Sequence, residues 1–373
     1  MCPVRAVKDC KQMLIERYAH SNTFAGLIQV MITLVPMGLL WWAAVLAVSV
    51  SYWLVVLAGI GITLLTLRTL VLMHECGHGS LFKASWLNRS MGFALGVITG
   101  MPQYVWSQHH DYHHSTNGNW QKYRGALTTP TVDEFAALTK SQQRTYLLTR
   151  HIAMAPLGGF VYLLFNPRFT WIKGSLQFLL HVLIGKLKRP GVAWMEHVAT
   201  FKTRYWTSRQ QYWHMFWNNV VLLTVWVGMC SLIGTGLFFA IYITSVSVAG
   251  GAGIVLFTVQ HNFEHAYATS SADWDYDRGA IEGTSFLQLP RWLGWCTANI
   301  AYHHIHHLSA KIPNYSLAAC HNEYAHLFTN VKRVKLFEVP GALKCLLWDE
   351  RAQRIISVAE FRRLNQHSLQ NHK

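Results

Sequence analysis

Two long stretches without charged side chains stand out in the pattern of hydrophobic and polar positions. No Asp, Glu, Lys or Arg occurs from Tyr18 to Leu67 or from Gln210 to Phe263. As a helix the first stretch would extend about 75 Å at ~1.5 Å per residue, more than two crossings of a hydrocarbon core of about 30 Å. Each stretch therefore predicts a transmembrane helical hairpin, with turns expected at Ser49–Ser51 and within Ser231–Gly236.

The two hairpins predict an all-α membrane protein with four spans and a cytosolic helical domain rich in histidine. Weaker apolar stretches lie between the hairpins, at Met91–Val105, Ile152–Phe165 and Ser175–Gly185. They are either re-entrant or interfacial segments, or packed helices of the cytosolic part, and the pattern leaves both open. The expected bounds within a single domain, 1–373, are 20–72 and 215–260 for the hairpins, 74–214 and 261–330 for the histidine-rich regions, and 331–373 for a basic tail.

The distribution of positive charge predicts the orientation in the membrane. Both hairpins have short uncharged tips, so both termini and all 32 Lys and Arg residues fall on the same side. The positive-inside rule assigns that side to the cytoplasm. A cleaved signal peptide does not fit, because the first apolar stretch is too long for an h-region and continues into a second span.

Composition agrees with a membrane protein and narrows the kinds of partner. Hydrophobic residues make up 51% of the 373 residues and charged residues 13%, with a net charge of +15, which excludes a disordered chain and disfavours a cytosolic globule. The seven cysteines form no Cys-x-x-Cys pair, so neither a disulfide framework nor a cysteine-based zinc site is expected. Basic residues such as Lys332 and Arg333 are interpreted as lipid headgroup contacts rather than a nucleic-acid site.

The most unusual feature is histidine, with 21 residues in the chain. His74 and His78 have the i, i+4 spacing that places both rings on one helical face. The pattern His-x-x-His-His occurs twice, at 110–114 and 303–307, and a further pair lies at 261–265, just after the fourth predicted span. Packing gives no reason to collect so many imidazoles, whereas metal ions do, because imidazole is the commonest metal-binding side chain.

The number of candidate ligands indicates more than one ion. Two residues from the first cluster, three from each His-x-x-His-His pattern and one from the 261–265 pair give nine candidates. One tetrahedral zinc ion uses about four ligands, so nine candidates predict two ions of higher coordination number. Nitrogen ligation without thiolate suits iron, copper or zinc, and the spacing does not choose between them.

At these clusters the chain resembles the integral-membrane fatty acid desaturases, over residues 20–330. HECGHGS is similar to the first histidine box of that family, WSQHHDYHHSTNG to the second, NIAYHHIHHLSAKIPNY to the third, and FTVQHNFEHAY to the segment that supplies an additional ligand. The resemblance implies an enzyme that uses two Fe ions and O2. Carried over position by position, it implies as ligands His74, His78, His110, His113, His114, His261, His303, His306 and His307.

Some histidines and carboxylates near these ligands have alternative interpretations. His109 and His304 offer other helical registers, and His265 competes with His261 as a ligand. We favour His261 because the Gln-His pair is the part that resembles the family. Three carboxylates are expected to accept hydrogen bonds from ligand rings and fix their orientation, the alternative being solvated charges; they are Glu75, Asp111 and Glu264.

The resemblance implies a reaction that removes two hydrogens from adjacent methylenes of an unactivated acyl chain. No acid or base side chain can abstract such a hydrogen, so an oxidised metal and O2 are required, with electrons supplied from outside. The expected substrate is the acyl tail of a membrane lipid, which would enter an apolar slot. The sequence has no His-Pro-Gly-Gly segment of a fused cytochrome b5 domain. We therefore expect a separate ferredoxin or cytochrome b5 as electron donor, attracted by the basic face.

The boxes also indicate which bond is made. Three residues separate His74 from His78, whereas the acyl-CoA Δ9 branch of the family typically has four. The segments resemble instead the bacterial and plant acyl-lipid enzymes that act at the Δ12 or ω-6 position. The expected reaction is therefore conversion of membrane-bound oleate to linoleate, with ω-3 and then Δ9 as the alternative positions.

Two other classes of protein compete with a desaturase. A hydroxylase or ketolase on the same di-iron scaffold is the rival enzyme, and its product would retain oxygen. A membrane metal transporter or sensor is the non-enzyme rival, and it would place ligands at mid-membrane depth. The histidines within the two uncharged stretches, His20, His214 and His261, instead lie near the ends of those stretches. The same placement disfavours a bis-histidine haem protein.

Overall fold

Helices dominate the fold, which confirms the predicted fold class. The computed structural model describes the backbone of residues 3–125 and 127–371 and the side chains of residues 4–125 and 127–364. The helices are α1 Pro3–Tyr18, α2 Thr23–Ala47, α3 Tyr52–His78, α4 Ser85–Thr99, α5 Gln103–Thr116, α6 Val132–Ala137, α7 Lys140–Thr149, α8 Ala155–Phe160, α9 Asn166–Lys188, α10 Trp194–Ala199, α11 Arg209–Ile233, α12 Thr235–His261, α13 Tyr276–Ile281, α14 Arg291–Cys296, α15 His303–Leu308, α16 Asn314–Glu323, α17 Val339–Ala342 and α18 Val358–Asn371.

Four of these helices are long and apolar enough to cross a membrane, namely α2, α3, α11 and α12. A fifth span would result if the bent pair Lys140–Thr149 and Ile152–Lys188 were counted as one. The turn between α2 and α3 falls at residues 48–51, in agreement with the sequence pattern. Gly234 alone separates α11 from α12, and its φ of 86° suits glycine because a side chain would be strained there. Both hairpins thus have tips as short as expected.

Two small sheets depart from the purely helical expectation. Strand β1 Ser285–Gln288 pairs in parallel with β2 Lys332–Lys335, and β3 Cys345–Asp349 pairs antiparallel with β4 Arg354–Ser357. The second sheet lies in the part expected to be a basic tail. Its Leu347 and Ile356 are buried against Phe135 of α6. This apolar packing folds the C-terminal segment onto the region that follows α5.

A buried arginine in the second candidate span contacts both α2 and α14, the helix that precedes the third histidine box. Arg68 of α3 is 1% exposed. Its guanidinium donates to Thr33 Oγ1 of α2 at 2.9 Å, to the side-chain oxygen of Gln29 and to the carbonyl oxygen of Trp295 in α14. Because a buried charge is costly unless it is hydrogen-bonded, these contacts hold α2, α3 and α14 in one arrangement.

One of the weaker apolar stretches packs alongside a candidate span. At Gly159 of α8 a side chain would collide with Ser247 and Gly251, in the middle of α12. A π-helical turn, Val161–Phe165, follows α8 and leads into α9. Residues 152–165 therefore lie against α12, with Leu157 and Phe165 exposed at the surface of the protein.

Candidate metal centre

The structure gathers nine buried histidines into two neighbouring groups whose ligand atoms could each hold a metal ion. Within each group the ligand atoms lie within 4.8 Å of one another. They are the nine histidines that the sequence analysis names as ligands. Group one consists of His74, His78, His110, His114 and His306, and group two of His113, His261, His303 and His307.

The Nε2 atoms in both groups converge at short distances. In group one, His74 Nε2 lies 2.8 Å from His110 Nε2, and His114 Nε2 lies 3.0 Å from His110 Nε2 and 3.1 Å from His306 Nε2. In group two, His303 Nε2 lies 2.9 Å from His261 Nε2, and the corresponding distance from His113 to His307 is 3.2 Å. The groups touch, since the rings of His114 and His307 stack with centroids 4.1 Å apart.

These distances fit ligands around a shared ion. Metal–nitrogen bonds to imidazole are about 2.0–2.1 Å, so two ligands at a right angle to each other lie about 3.0 Å apart, and two at a tetrahedral angle about 3.4 Å apart. Four of the Nε2–Nε2 distances in group one are 2.8–3.3 Å, and all of its ligand atoms lie within 4.8 Å of one another. Five nitrogens at this spacing suit an ion that takes more than four ligands, as the ligand count predicts.

The contacts of the ring Nδ1 atoms also suit a cation between the rings. His74 Nδ1 lies 3.2 Å from Glu75 Oε1, His78 Nδ1 lies 3.3 Å from Asp111 Oδ1, and His261 Nδ1 lies 3.2 Å from the Gly283 carbonyl oxygen. An acceptor oxygen beside Nδ1 favours the tautomer with the proton on Nδ1 and a lone pair on Nε2. Lone pairs that face one another repel, and a bound metal ion removes that repulsion.

Burial keeps the imidazoles of the second and third boxes neutral. Removal from water lowers the pKa of each of these rings well below the ordinary value of 6.5, and neighbouring histidines lower it further. Neutral imidazole is the form that binds metal. The rings concerned are those of His110, His113, His114, His303, His306 and His307.

Two of the three carboxylates expected to orient ligand rings lie in contact with a ligand ring. Glu75 is fully buried, and besides His74 it accepts hydrogen bonds from Ser80 Oγ and from the backbone N–H of Asn314, both at 2.9 Å. Asp111 contacts His78 although its own side chain is 58% exposed. Glu75 thereby connects the first box to the start of α16, just beyond the third box.

Glu264 and His265 lie elsewhere. Glu264 Oε1 accepts a hydrogen bond from Arg354 of β4 at 2.7 Å. The side chain of His265 is 73% exposed, and its backbone has a positive φ of 65°. Neither belongs to the two histidine groups found among the described residues. The chain turns sharply after His261, at the end of α12, and this turn carries both side chains away from the groups.

The two extra histidines of the boxes also point away from the groups. His109 is exposed on the outer face of α5. His304 is fully buried on the opposite side of α15 from the groups, where its Nε2 lies 3.0 Å from His321 Nδ1. Both positions follow from helical geometry, since neighbouring residues are rotated by about 100° around the axis. The sequence analysis did not single out His321.

Three aromatic rings that the sequence analysis did not single out line the groups. Trp106 stacks on His110 with centroids 4.6 Å apart, and Phe257 contacts His113 and His261, each with centroids 4.9 Å apart. Tyr123 lies against His113 at 4.7 Å. Trp106 and Phe257 each precede a ligand by four residues, so the i, i+4 rule could have identified them.

Comparison with known proteins decides the family. Residues 51–334 match the family described as fatty acid desaturase. The chain belongs to the fatty acid desaturase family. Its members are oxidoreductases, so the expectation that the chain is an enzyme of this family is confirmed.

The relatives of this desaturase cover most of its length. It is 32% identical over 345 residues to a fatty acid desaturase from Bacillus subtilis, and the aligned region covers 92% of this chain and 88% of the relative. It is 23% identical over 319 residues to an sn-1 oleoyl-lipid 12-desaturase from Anabaena variabilis, spanning 84% of this chain and 80% of the relative. It is also 23% identical over 254 residues to an endoplasmic reticulum omega-6 fatty acid desaturase from Glycine max, spanning 66% and 58%.

Proposed function

We propose that this desaturase introduces a cis double bond at the Δ12 (ω-6) position of oleoyl chains in membrane lipids. The relatives from Anabaena variabilis and Glycine max carry names that denote this position. The three-residue spacing between His74 and His78 supports the same branch of the family. The alternatives are a bond at ω-3 or Δ9, and a hydroxylase or ketolase reaction on the same scaffold.

We further propose that the nine histidines of the two groups bind two iron ions. The single observation that carries this proposal is the convergence of buried Nε2 atoms, with nitrogen donors only, in two touching groups. Iron accepts imidazole ligands, and higher coordination numbers suit groups of four and five histidines. With O2 and electrons from a donor, the bound iron would supply the oxidising power needed to remove hydrogens from an unactivated methylene.

The protein's own side chains would hold and shield this site. Glu75 would accept the Nδ1 proton of His74, and the carboxylate of Asp111 lies 3.3 Å from Nδ1 of His78, so both would keep the Nε2 lone pairs directed inward. Trp106 covers His110 with its indole ring. Such apolar cover excludes water, which favours reaction with an acyl chain over loss of oxidising equivalents to solvent.

The proposed orientation places the histidine groups and both termini in the cytoplasm. The ligand histidines of α3 and α12 lie in the last turn or two of those spans, at the ends opposite the short tips. The substrate would be the acyl chain of a lipid that reaches the site from the bilayer. A separate ferredoxin or cytochrome b5 would deliver electrons to the cytoplasmic face, aided by the net charge of +15.

Expression in a host that contains oleate but no dienes tests the proposal. Mass spectrometry of derivatised lipids locates the double bonds, and the expected product is 18:2 with bonds at carbons 9 and 12. The variant His306→Ala serves as a control for the metal centre. New monoenes from saturated chains, or hydroxy acids without a diene, would contradict the proposed reaction.

A further inference from the structure

A short segment that follows the fourth candidate span contacts each helix that supplies group two. The segment, residues 274–283 and termed the anchor segment, contains α13 and precedes the third histidine box in the chain. Group two takes its ligands from α5, α12 and α15. The anchor segment contacts these helices through Asn117, just beyond α5, through His261 and through His307.

Asn117 joins the end of α5 to the anchor segment. It follows α5 directly and is 7% exposed. Its Nδ2 donates to the carbonyl oxygen of Gly279 at 2.7 Å and lies 3.4 Å from that of Gly283. Its own carbonyl oxygen accepts from Trp274 Nε1 at 2.8 Å. Asn117 is therefore held through both its side chain and its backbone.

The carbonyl oxygen of Gly283 also contacts a ligand ring. It lies 3.2 Å from Nδ1 of His261, the one residue that α12 contributes to the two groups. His261 is the last residue of α12, so no further helical turn fixes its ring. In the part of the chain that the structure describes, Nδ1 of His113 and of His303 has no hydrogen-bond partner. The Gly283 carbonyl is therefore an uncommon outer contact of group two, and the Asn117 amide lies beside the same oxygen.

Tyr276 connects the anchor segment to α15. Its hydroxyl donates to the backbone carbonyl oxygen of His307 at 2.8 Å, and α13 packs against α15. Lys11 of α1 lies 4.4 Å from the ring centroid of Tyr276, and its Nζ lies 2.6 Å from Asp277 Oδ1. The N-terminal helix thus also holds this segment.

The direct contacts of the anchor segment favour group two over group one. No side-chain hydrogen bond among the described residues joins the segment to α3, the helix that supplies group one alone. The two ligands that it contacts directly, His261 and His307, both belong to group two.

We propose that the anchor segment positions the ligands of group two, with Asn117 and Tyr276 as its positioning residues. Asn117 fixes the Gly283 carbonyl beside the ring of His261, and Tyr276 fixes α15 at His307. An acceptor at the far nitrogen of a ligand ring sets the direction of its metal-binding nitrogen. This inference rests on the proposed binding of two iron ions, and it adds how the site of the second ion is held.

Asn117→Leu tests the connection to His261. Leu keeps the branched shape of Asn but has no donor, so the Gly283 carbonyl is free to turn away from the ring. The contact from Trp274 to the backbone of residue 117 remains, so α5 should keep its position. Chelator titration of the iron-loaded protein should show an affinity lower by about 10- to 100-fold for one ion, with a stable one-iron form.

Asn119→Leu is the matched control for loss of a buried amide. Asn119 lies in the same loop, but its Oδ1 accepts from the backbone N–H of Lys122 and from Ser271 Oγ, neither of which contacts a ligand. This variant should retain both irons at chelator concentrations at which Asn117→Leu loses one. A merely structural role for Asn117 would instead lower the unfolding temperature and release both ions together.

A double variant identifies which group is affected. His74→Ala removes a ligand of group one and should leave one iron per chain. At a chelator concentration at which His74→Ala and Asn117→Leu each retain one iron, the double variant should retain none. If Asn117 acted on group one, the double variant would keep one iron, and the proposal would be wrong.

Tyr276→Phe tests the connection to α15, and it decides the matter if Asn117→Leu fails to fold. Because α15 supplies both groups, both ions should leave together at chelator concentrations about two- to tenfold lower, the range for loss of one hydrogen bond. Tyr146→Phe is the control, since the Tyr146 hydroxyl donates to the Leu346 carbonyl at 2.7 Å. Release from Tyr276→Phe at wild-type concentrations would refute the proposal.

The wild type separates failure of this inference from failure of the proposed function. Fewer than two irons per chain in the loaded wild type would refute the proposed metal centre. Two irons in the wild type and in Asn117→Leu at every chelator concentration would refute only the positioning role of the anchor segment.

Discussion

Replacement of Glu75 by Gln is expected to weaken metal binding at group one. Glu75 has only donors around it, because Oε1 faces His74 Nδ1 and Oε2 accepts from Ser80 Oγ and from Asn314 N–H. Gln keeps the size of the side chain but replaces one acceptor oxygen with an NH2 group. Either orientation of that amide would set a donor against a donor in a fully buried position.

The expected loss is about 10- to 100-fold in metal affinity, the usual cost of altering a residue that orients a metal ligand. This equals about 1.4 to 2.8 kcal/mol. The matched control is Glu264→Gln, since Glu264 has the same side chain but pairs with Arg354 away from both groups.

Iron content measured after dialysis against graded chelator concentrations distinguishes the two variants. The Glu75→Gln protein should lose one iron per chain at chelator concentrations that leave the wild type and Glu264→Gln with two. Group two should keep its ion, because no residue of that group contacts Glu75. Retention of two irons by Glu75→Gln at every concentration, or equal loss from Glu264→Gln, would refute the reasoning.

Three further predictions concern the metal site, the fold and the orientation in the membrane. His306→Ala should abolish diene formation and lower iron to about one per chain, whereas His109→Ala, at an exposed position, should change neither. Arg68→Met should lower the free energy of unfolding in detergent by about 3 kcal/mol, because it removes three hydrogen bonds and leaves the buried Thr33 Oγ1 without this donor, and exposed Arg89→Met should have little effect on the same melting curve. A cysteine that replaces Ser49 should react with an impermeant maleimide added outside intact cells, and protection there would contradict the proposed orientation.

The spacing of the histidines along the chain indicates the ligand faces of the three boxes, whereas the choice of His261 over His265 depends on the resemblance to the family. The reason is local, since residues at i, i+3 and i+4 share a helical face whatever the helix packs against. The same rule explains why His109 and His304 point elsewhere. The division into one group of five and one of four could not be predicted, because it depends on how α3, α5, α12 and α15 cross.

Two of the carboxylates show that a position beside a histidine in sequence does not by itself predict contact with a ligand ring. Glu75 and Glu264 both stand beside a histidine in sequence, and the sequence analysis assigns them the same role. Glu75 lies within a helix whose ligand face is buried, so its side chain remains next to His74. Glu264 lies beyond the end of α12, where Arg354 of β4 becomes its partner. That contact spans 90 residues of sequence, and no local pattern predicts it.

The pattern His-x-x-His-His lets one helix supply both groups. In α5, His110 and His114 join group one and His113 joins group two, whereas in α15 the i, i+4 pair joins group two and His306 joins group one. Adjacent histidines are rotated by about 100° around a helix, so they can face two neighbouring ions.

The first box lacks the adjacent histidine, and α3 serves group one alone. Displacement of α5 or α15 must therefore disturb both ions, while a defect confined to α3 disturbs one. It follows that a variant that displaces α5 or α15 should pass from two irons to none without a stable one-iron form. Glu75→Gln should instead populate the one-iron form, so chelator titrations would distinguish a defect in a helix that supplies both groups from a defect in α3, which supplies group one alone.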